Sequence, residues 1–410
     1  MAFPTKFTHI SLFFLTITAL SGIWMRLYFV APNAQTLPFE HILHGHSHMA
    51  ILGWTFLAMF VLYVKLTWES MPKKKHAIAI LYTILVVTLM MFIAFLYEGY
   101  ATYSIILSVI HIFVEYWVII FIWITLKYIP HMTRTLRRFM YASLLSLFLS
   151  TLTLGPFSLG AIAANGLRES PLFEMAIYFY LHFQYNGWLF FMLIGLFLFF
   201  LQKNKITYNE KWIQHSFWIY FISLFPAYFS AILWYDIGIG GYIAAFIGVI
   251  GQCIAILLLI GTIFPAYHSF HALFSKHMKI SYIFVAFILL MKQFMEFGLL
   301  IPGFSSLIYE TRSVIIGYLH LTLLGFITMF ILNLYQSTQL LDETKKRVTY
   351  GIAIFLGGFV VQEVILFCSA LFAWTNGWII PYQNELLLSA TILLLVGICS
   401  IWTTVCKQTK

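Results

Sequence analysis

Four of the chain's 14 histidines lie at positions 41, 44, 46 and 48, at the start of a segment that stays apolar as far as Leu66. Burying histidine in the apolar part of a membrane costs free energy, so histidines found there usually bind a metal or haem, or carry protons. The stretch from Glu40 to Trp54 therefore predicts chemistry of one of these three kinds.

The end of this stretch recurs twice in the chain. The three copies are His48-x4-Gly53-Trp54, His182-x4-Gly187-Trp188 and His320-x4-Gly325-Phe326. The spacing is nearly constant, because 134 residues separate the first histidine from the second and 138 separate the second from the third. The pattern predicts an internal threefold repeat in which His48, His182 and His320 are equivalent.

The composition predicts the elements that hold these histidines. Of 410 residues, 62% are hydrophobic and 9% charged, and apolar runs of about 20 residues, each long enough to span a bilayer, recur throughout. We predict an all-α polytopic membrane protein, a single membrane domain over 1–410 with twelve transmembrane helices. The predicted spans are about 8–30, 43–66, 77–97, 103–126, 139–162, 175–201, 213–236, 241–264, 281–301, 313–335, 349–371 and 386–406.

The repeat divides these spans into three pseudo-symmetric quartets, over about 8–126, 139–264 and 281–406. Each quartet then supplies one histidine from its second helix. All three histidines are expected at one depth, in the outer leaflet.

The net charge of +9 is explained by topology rather than by a nucleic-acid partner, which we exclude. Of the 23 basic residues, 19 fall on one side, in the loops that follow even-numbered spans, at the ends of spans or at the termini. Positive charge marks the cytoplasmic side, so both termini are expected in the cytoplasm. The exceptions are Arg26, Arg168, Lys292 and Arg312. The four cysteines form no CxxC pair, which excludes a disulfide framework, a zinc ribbon and c-type haem attachment.

This plan resembles the haem–copper oxidase subunit I superfamily, whose metal-ligand histidines lie on helices 2, 6 and 10. The segment from His46 to Trp54 resembles the HxHxNxLGW motif of its short bacterial members. The chain is also similar in size and layout to NnrS-type haem- and copper-containing membrane proteins. The resemblance implies a bacterial inner (plasma) membrane location, a quinol or cytochrome as electron donor and a diatomic gas as ligand.

Residue by residue, the resemblance implies that His48 and His320 are the two ligands of a low-spin haem b, and that His182 matches the copper or iron ligand of helix 6. The chain departs from the family at Tyr318, where a haem-ligating histidine is expected, and at Asn186, where the oxidases have a tyrosine. The histidine pair of the family's helix 7 is missing too, since span 7 contains only His215. These departures predict an incomplete binuclear centre.

Basic residues near the predicted haem have several open roles. Arg26 and Arg312 are expected to pair with haem propionates, because arginine binds carboxylates through two parallel hydrogen bonds; the alternative is that they are interfacial arginines. His44 lies one helical turn from His48 and can contact propionates, bind a second metal or relay protons. His46 points to the other side of the helix. A copper ion held by His182 with His46 or His44, a second haem at His182 and a structural role remain alternatives.

Three further polar features lie inside predicted spans. His111 with Glu115 and Lys292 with Glu296 each have i, i+4 spacing, which is typical of either a functional pair or a mutually satisfied one. Glu363 is a carboxylate with no obvious partner.

The leading hypothesis is a haem b-binding membrane protein that handles electrons or a diatomic gas (oxygen or nitric oxide). A copper or haem transporter that uses the histidine ladder is one alternative. An oxidase or nitric oxide reductase-like enzyme with an atypical haem or metal site at His182 is the other.

Overall fold

A computed structural model describes residues 3–152, 156–265, 273–375 and 377–406. Helices make up 83% of these described residues, which contain no β-strand. The all-α prediction is therefore confirmed. The predicted cytoplasmic termini include residues 1–2 and 407–410, which lie outside the described ranges.

The helices follow one another with short connections. The α-helices are α1 Lys6–Val30, α2 Phe39–His48, α3 Phe56–Thr67, α4 Lys74–Glu98, α5 Thr102–Thr125, α6 Arg134–Leu152, α7 Pro156–Ala164, α8 Pro171–His182, α9 Phe190–Lys203, α10 Glu210–Ala227, α11 Gly238–Ile263, α12 Lys276–Gly298, α13 Phe304–Glu310, α14 Arg312–His320, α15 Met329–Ser337, α16 Lys346–Thr375 and α17 Gln383–Trp402. Polar residues begin some of them: the Asn209 side chain accepts hydrogen bonds from the first turn of α10, and Ser275 does the same for α12.

Within the described residues, ten helical segments are long and apolar enough to cross a membrane. They are Lys6–Val30, Phe39–Thr67, Lys74–Glu98, Thr102–Tyr128, Pro171–Lys203, Gly238–Ile263, Lys276–Gly298, Arg312–Ser337, Lys346–Thr375 and Gln383–Trp402. The chain is a multi-pass membrane protein by the length and composition of these helices, since in lipid a helix satisfies all of its own backbone groups.

Two of the twelve predicted spans, 139–162 and 213–236, have no counterpart among the ten. Helices α6 and α10 occupy most of these stretches. Both begin with charged residues and contain several serines, and neither combines sufficient length with a sufficiently apolar composition. Residues 153–155 of the first stretch lie outside the described residues. The count of twelve stays a prediction.

The chain divides into two compact units. The first comprises Met1–Ile129 with Ile331–Lys410, and the second comprises Pro130–Phe330. In the first unit α1 packs against α2 and α17, and α17 packs against α16. In the second unit α10 packs against α11, and α6 packs against α9. The division into three quartets stays a prediction.

The spans that carry the repeated histidines differ from the others in burial. Those containing His48, His182 and His320 are the most buried of the ten, whereas in each of the other seven spans about half of the residues or fewer are buried. Their side chains therefore face protein rather than lipid, as expected for helices that hold a functional site.

Each repeated histidine is the last residue of an α-helix that continues as a π-helix. The π segments are π1 Met49–Thr55, π2 Phe183–Leu189 and π3 Leu321–Thr328. π-Helix is rare and occurs often at functional sites, because its wider turn re-aims the side chains beside it. The motif His-x4-Gly-(Trp/Phe) thus has the same local structure at all three places, which gives the sequence repeat a structural counterpart.

Gly187 in π2 is required by close packing against α6. A Cβ atom built on Gly187 would lie 2.5 Å from Cβ of Ser146, which is too close for two carbon atoms. We expect Gly187→Ala to lower the free energy of unfolding by about 1–3 kcal/mol through overpacking. Denaturant-driven unfolding in detergent, followed by circular dichroism, measures it.

Gly261→Ala in α11 is the matched control, because a Cβ there would meet nothing within 4 Å. Its stability should be unchanged or slightly higher. Adding Ser146→Gly to the Gly187 variant should restore stability, and a failure to do so would show that the clash is not the cause.

Candidate functional site

His48 is held in one tautomer by its own helix. Its Nδ1 lies 2.9 Å from the backbone oxygen of His44. A carbonyl oxygen can only accept, so Nδ1 carries the proton and Nε2 carries the lone pair. Among the described residues nothing bonds to Nε2. Metal-ligating histidines are typically oriented in this way, with one ring nitrogen donating to a carbonyl and the other left for the metal.

Aromatic rings surround His48 and His44 in the first unit. The His48 ring centroid lies 4.3 Å from that of Phe95 and 6.3 Å from that of Tyr100. His44 lies 5.4 Å from Tyr100 and 6.0 Å from Phe95. Leu52 and Met91 extend this apolar cluster. The His48 ring therefore lies among aromatic and apolar side chains.

Arg26 is a half-buried cation inside the apolar helix α1. It forms no ion pair or hydrogen bond with the part of the chain that the structure describes. A cation within a membrane span is costly unless it is paired or hydrated. Arg26 therefore retains its capacity to bind an anionic group such as a propionate.

His46 faces α1. Its Nδ1 lies 3.0 Å from the backbone oxygen of Thr18, to which it donates, and 3.1 Å from the hydroxyl of Ser21. Gly22 packs beside the same ring. His46 thus ties α2 to α1 within the first unit. Its predicted role in a copper site is not tested.

His41 closes the end of α4. Its Nδ1 donates to the backbone oxygen of Leu96 (3.1 Å), one of the carbonyls that the helix leaves without an intrahelical partner. Gly99, at φ +66°, follows directly, and a Cβ there would lie 2.7 Å from the His41 ring. His41 therefore caps the C-terminal end of α4, a structural role that the sequence did not predict.

A hydrogen-bonded pair of polar side chains and one separate carboxylate are also buried in the first unit. His111 and Glu115 on α5 form a hydrogen bond of 2.9 Å and are almost fully buried, as their spacing predicted. The second nitrogen of His111 and the second oxygen of Glu115 have no partner among the described residues. Both oxygens of Glu363 on α16 are likewise buried without a described partner.

His182, in the second unit, uses both of its ring nitrogens within the protein. Nε2 donates to the backbone oxygen of Leu224 (2.8 Å), and Nδ1 accepts from the side-chain amide of Asn186 (3.2 Å). No lone pair is left for a metal in this arrangement. A metal at His182 would require these bonds to break, so the geometry does not fit a copper or haem ligand at this position. The assignment of His182 as a ligand stays a prediction.

Tyr318 occupies the position where the resembled family has a haem-ligating histidine, and it belongs to a buried network. Its hydroxyl donates to Oε1 of Glu296 (2.7 Å). The same oxygen accepts from Lys292 Nζ at 2.6 Å, and Oε2 accepts from Gln293 at 3.1 Å. Three donors therefore converge on one carboxylate. This network stands where a second haem ligand would be needed.

A cavity of about 120 Å³ lies beside this network in the second unit. Its walls include His182, Asn186, Glu296 and Tyr318. The repeat predicted the importance of His182, but not that its neighbours would include an ion pair from α12. The structure brings the two together.

Tyr309 on α13 lies at one wall of this cavity. Its ring stacks on Trp234 with centroids 4.2 Å apart, and its hydroxyl donates to Glu174. Burial, together with the Glu174 carboxylate, raises the pKa of Tyr309, so the phenol remains a donor throughout the physiological pH range. A wider depression of about 600 Å³ shares Tyr178 with the cavity, and its walls include Arg168 and Glu174.

His320 ends α14 in the second unit and is half-buried, and Arg312 begins the same helix and is exposed. Both residues form interactions. His48 belongs to the first unit and His320 to the second, and their predicted pairing is not tested. Arg168 is exposed, in agreement with a surface position.

A metal held by protein side chains alone has no support in the described ranges, where no group of three or more His, Cys, Asp and Glu residues is placed to hold an ion. A bis-histidine haem needs only two protein ligands, and His48 meets the requirement for one of them. The residues of the first unit fit a haem better than the residues of the second fit a metal.

Neither models of known protein families nor curated proteins give a match to this chain. The likeness to haem–copper oxidase subunit I therefore depends on the motifs and spacing of the chain itself.

Proposed function

We propose that the chain is a haem b-binding integral membrane protein that handles electrons or a diatomic gas, and that it is a divergent relative of haem–copper oxidase subunit I. The observation that carries the proposal is His48, whose Nδ1 proton is fixed on the His44 carbonyl and whose Nε2 has no described partner. The recurrence of the same α-to-π transition at His182 and His320 supports a common origin of the three sites.

In this proposal His48 and His320 would hold one haem b. Such a haem supplies one-electron transfer when it is bound. His44 fixes the His48 ring through its carbonyl, and Phe95 and Tyr100 exclude water from the ring face. Arg26 and Arg312 pair with the propionates.

The architecture belongs to the same proposal. It places twelve spans in three quartets in a bacterial inner membrane, with both termini in the cytoplasm and the bilayer as the immediate partner. A quinol or a cytochrome is the electron donor, and no nucleic acid takes part. The ten apolar helices support a membrane location, and the orientation depends on the loop charges alone.

We propose further that the chain lacks a full binuclear centre. The support is Tyr318, which donates to Glu296, and His182, both of whose ring nitrogens are bonded. Copper or a second haem at His182, and an oxidase-like enzyme built on such a site, therefore have less support. The transporter alternative stays open, because His41 and His46 use only Nδ1 in their bonds to backbone carbonyls, as His48 does.

Haem and metal analysis of purified variants tests the proposal. We expect His320→Ala to lose most of its haem, because one axial ligand is removed, and His182→Ala to keep it. Iron and copper are measured in the same samples, and gel filtration shows whether each variant is folded. Full haem retention in His320→Ala would remove that residue from the ligand set, and copper that disappears with His182→Ala would establish the metal site that we disfavour.

A further inference from the structure

The cavity of the second unit has the size and lining of a ligand site. It lies among α8, π2, α12 and α14, and its volume of about 120 Å³ is close to that of cavities which hold a single six-membered ring, about 150 Å³. Its walls are mostly apolar. The aromatic side chains among them are Tyr178, Tyr185, Trp234, Tyr309 and Tyr318.

The opposite charges of Lys292 and Glu296 neutralise each other beside this cavity. Glu296 is the carboxylate in the wall, and Lys292 lies 2.6 Å from it, with both side chains almost fully buried. The hydroxyl of Tyr318 and the amide of Gln293 complete the coordination of that carboxylate. An added ion would find no counter-charge left, so the cavity favours a neutral ligand.

One acceptor in the wall has no donor. His182 donates through Nε2 to Leu224, so its Nδ1 must accept, and this fixes the amide of Asn186 with its nitrogen towards the histidine. Oδ1 of Asn186 then receives no hydrogen bond from the residues that the structure describes, although Asn186 is almost fully buried. Because Asn186 lines the cavity, a ligand hydroxyl can donate a hydrogen bond to this oxygen.

We propose that this cavity binds a small neutral aromatic ring that carries a hydroxyl group, with the ring among the aromatic side chains and the hydroxyl donating to Oδ1 of Asn186. The inference goes beyond the proposed haem function and does not depend on it. Tyr178 lines both this cavity and the 600 Å³ depression, and Tyr309 of the cavity wall bonds to Glu174 of the depression, so we expect the ligand to enter beside these residues.

Titration of the purified full-length protein with phenol and with toluene tests the site, with binding followed by ligand-observed NMR. Toluene keeps the ring and replaces the hydroxyl by a methyl group. We expect saturable binding of phenol, stronger than that of toluene by roughly threefold to tenfold, the range of one net hydrogen bond. Asn186→Leu should abolish this preference, and Ala231→Phe, which fills the cavity, should abolish binding of both compounds.

Gln184→Leu is the matched control, because Gln184 is a buried amide in the same π segment that does not line the cavity. It should keep the preference for phenol. A phenol with a long alkyl chain distinguishes a lipid-tethered ring, which it would mimic with tighter binding, from a free small molecule. Absence of saturable phenol binding to the wild type, or binding unaffected by Ala231→Phe, overturns the proposal. Haem content measured on the same samples keeps this outcome separate from failure of the haem assignment.

Discussion

A His48→Ala protein is expected to purify without haem b. The substitution removes a ring that is fixed by a carbonyl at Nδ1 and lies among aromatic side chains. The variant would lack one of the two residues proposed to hold the haem. We expect haem content to fall at least roughly tenfold, the lower end of what loss of a supporting ligand interaction costs. The absorption spectrum of protein purified with added haem measures it.

His46→Ala is the matched control, since His46 lies two residues away on the same helix but bonds to Thr18 of α1. It should retain haem and lose stability instead, because it removes a tie between two helices. The opposite pattern, with haem lost from the His46 variant and kept by the His48 variant, would mean that the ligand has been assigned to the wrong face of α2.

The second large effect is expected at the ion pair of Lys292 and Glu296. Lys292→Met removes the cation and leaves a buried carboxylate, and breaking a buried pair in this way costs about 3–5 kcal/mol. Replacing both partners, with Lys292→Met and Glu296→Gln, should recover most of that loss because no unpaired charge remains. Denaturant-driven unfolding of the single and double variants in detergent measures the difference.

An exposed ion pair provides the comparison. Lys345 and Asp342 lie 3.6 Å apart with the lysine side chain 45% exposed. Lys345→Met should change the free energy of unfolding by about 1 kcal/mol or less, because solvent screens exposed pairs. If Lys292→Met is equally mild, Glu296 takes up a proton at little cost and the pair is not an obligatory ionic one.

The sequence predicted the helical class and the sites of the repeated histidines, because long apolar runs and a fixed motif are local features. It did not predict the π segments that follow His48, His182 and His320, since no residue type demands a π turn. Two of its twelve predicted spans, 139–162 and 213–236, have no counterpart among the ten apolar helices of the described residues, and the count of twelve stays a prediction. Helices α6 and α10 do form there, but their charged first turns and serines lower their apolar content.

Some contacts of the candidate site could likewise be predicted from the sequence, and others could not. The i, i+4 spacing of Lys292 and Glu296 is visible in the chain, and their pairing followed from it. That Tyr318 would complete the pair depends on how α12 meets α14, and that His182 would bond to Leu224 depends on how α8 meets α10. Neither contact has a signal in the sequence. The tautomer of His48, by contrast, comes from a bond within its own helix.

The most direct test of the haem assignment is the reduced-minus-oxidised absorption spectrum of the purified wild-type protein. We predict the Soret and α bands of a low-spin haem b, together with iron in the same preparation. A folded protein that remains colourless after growth with ample haem would contradict the assignment.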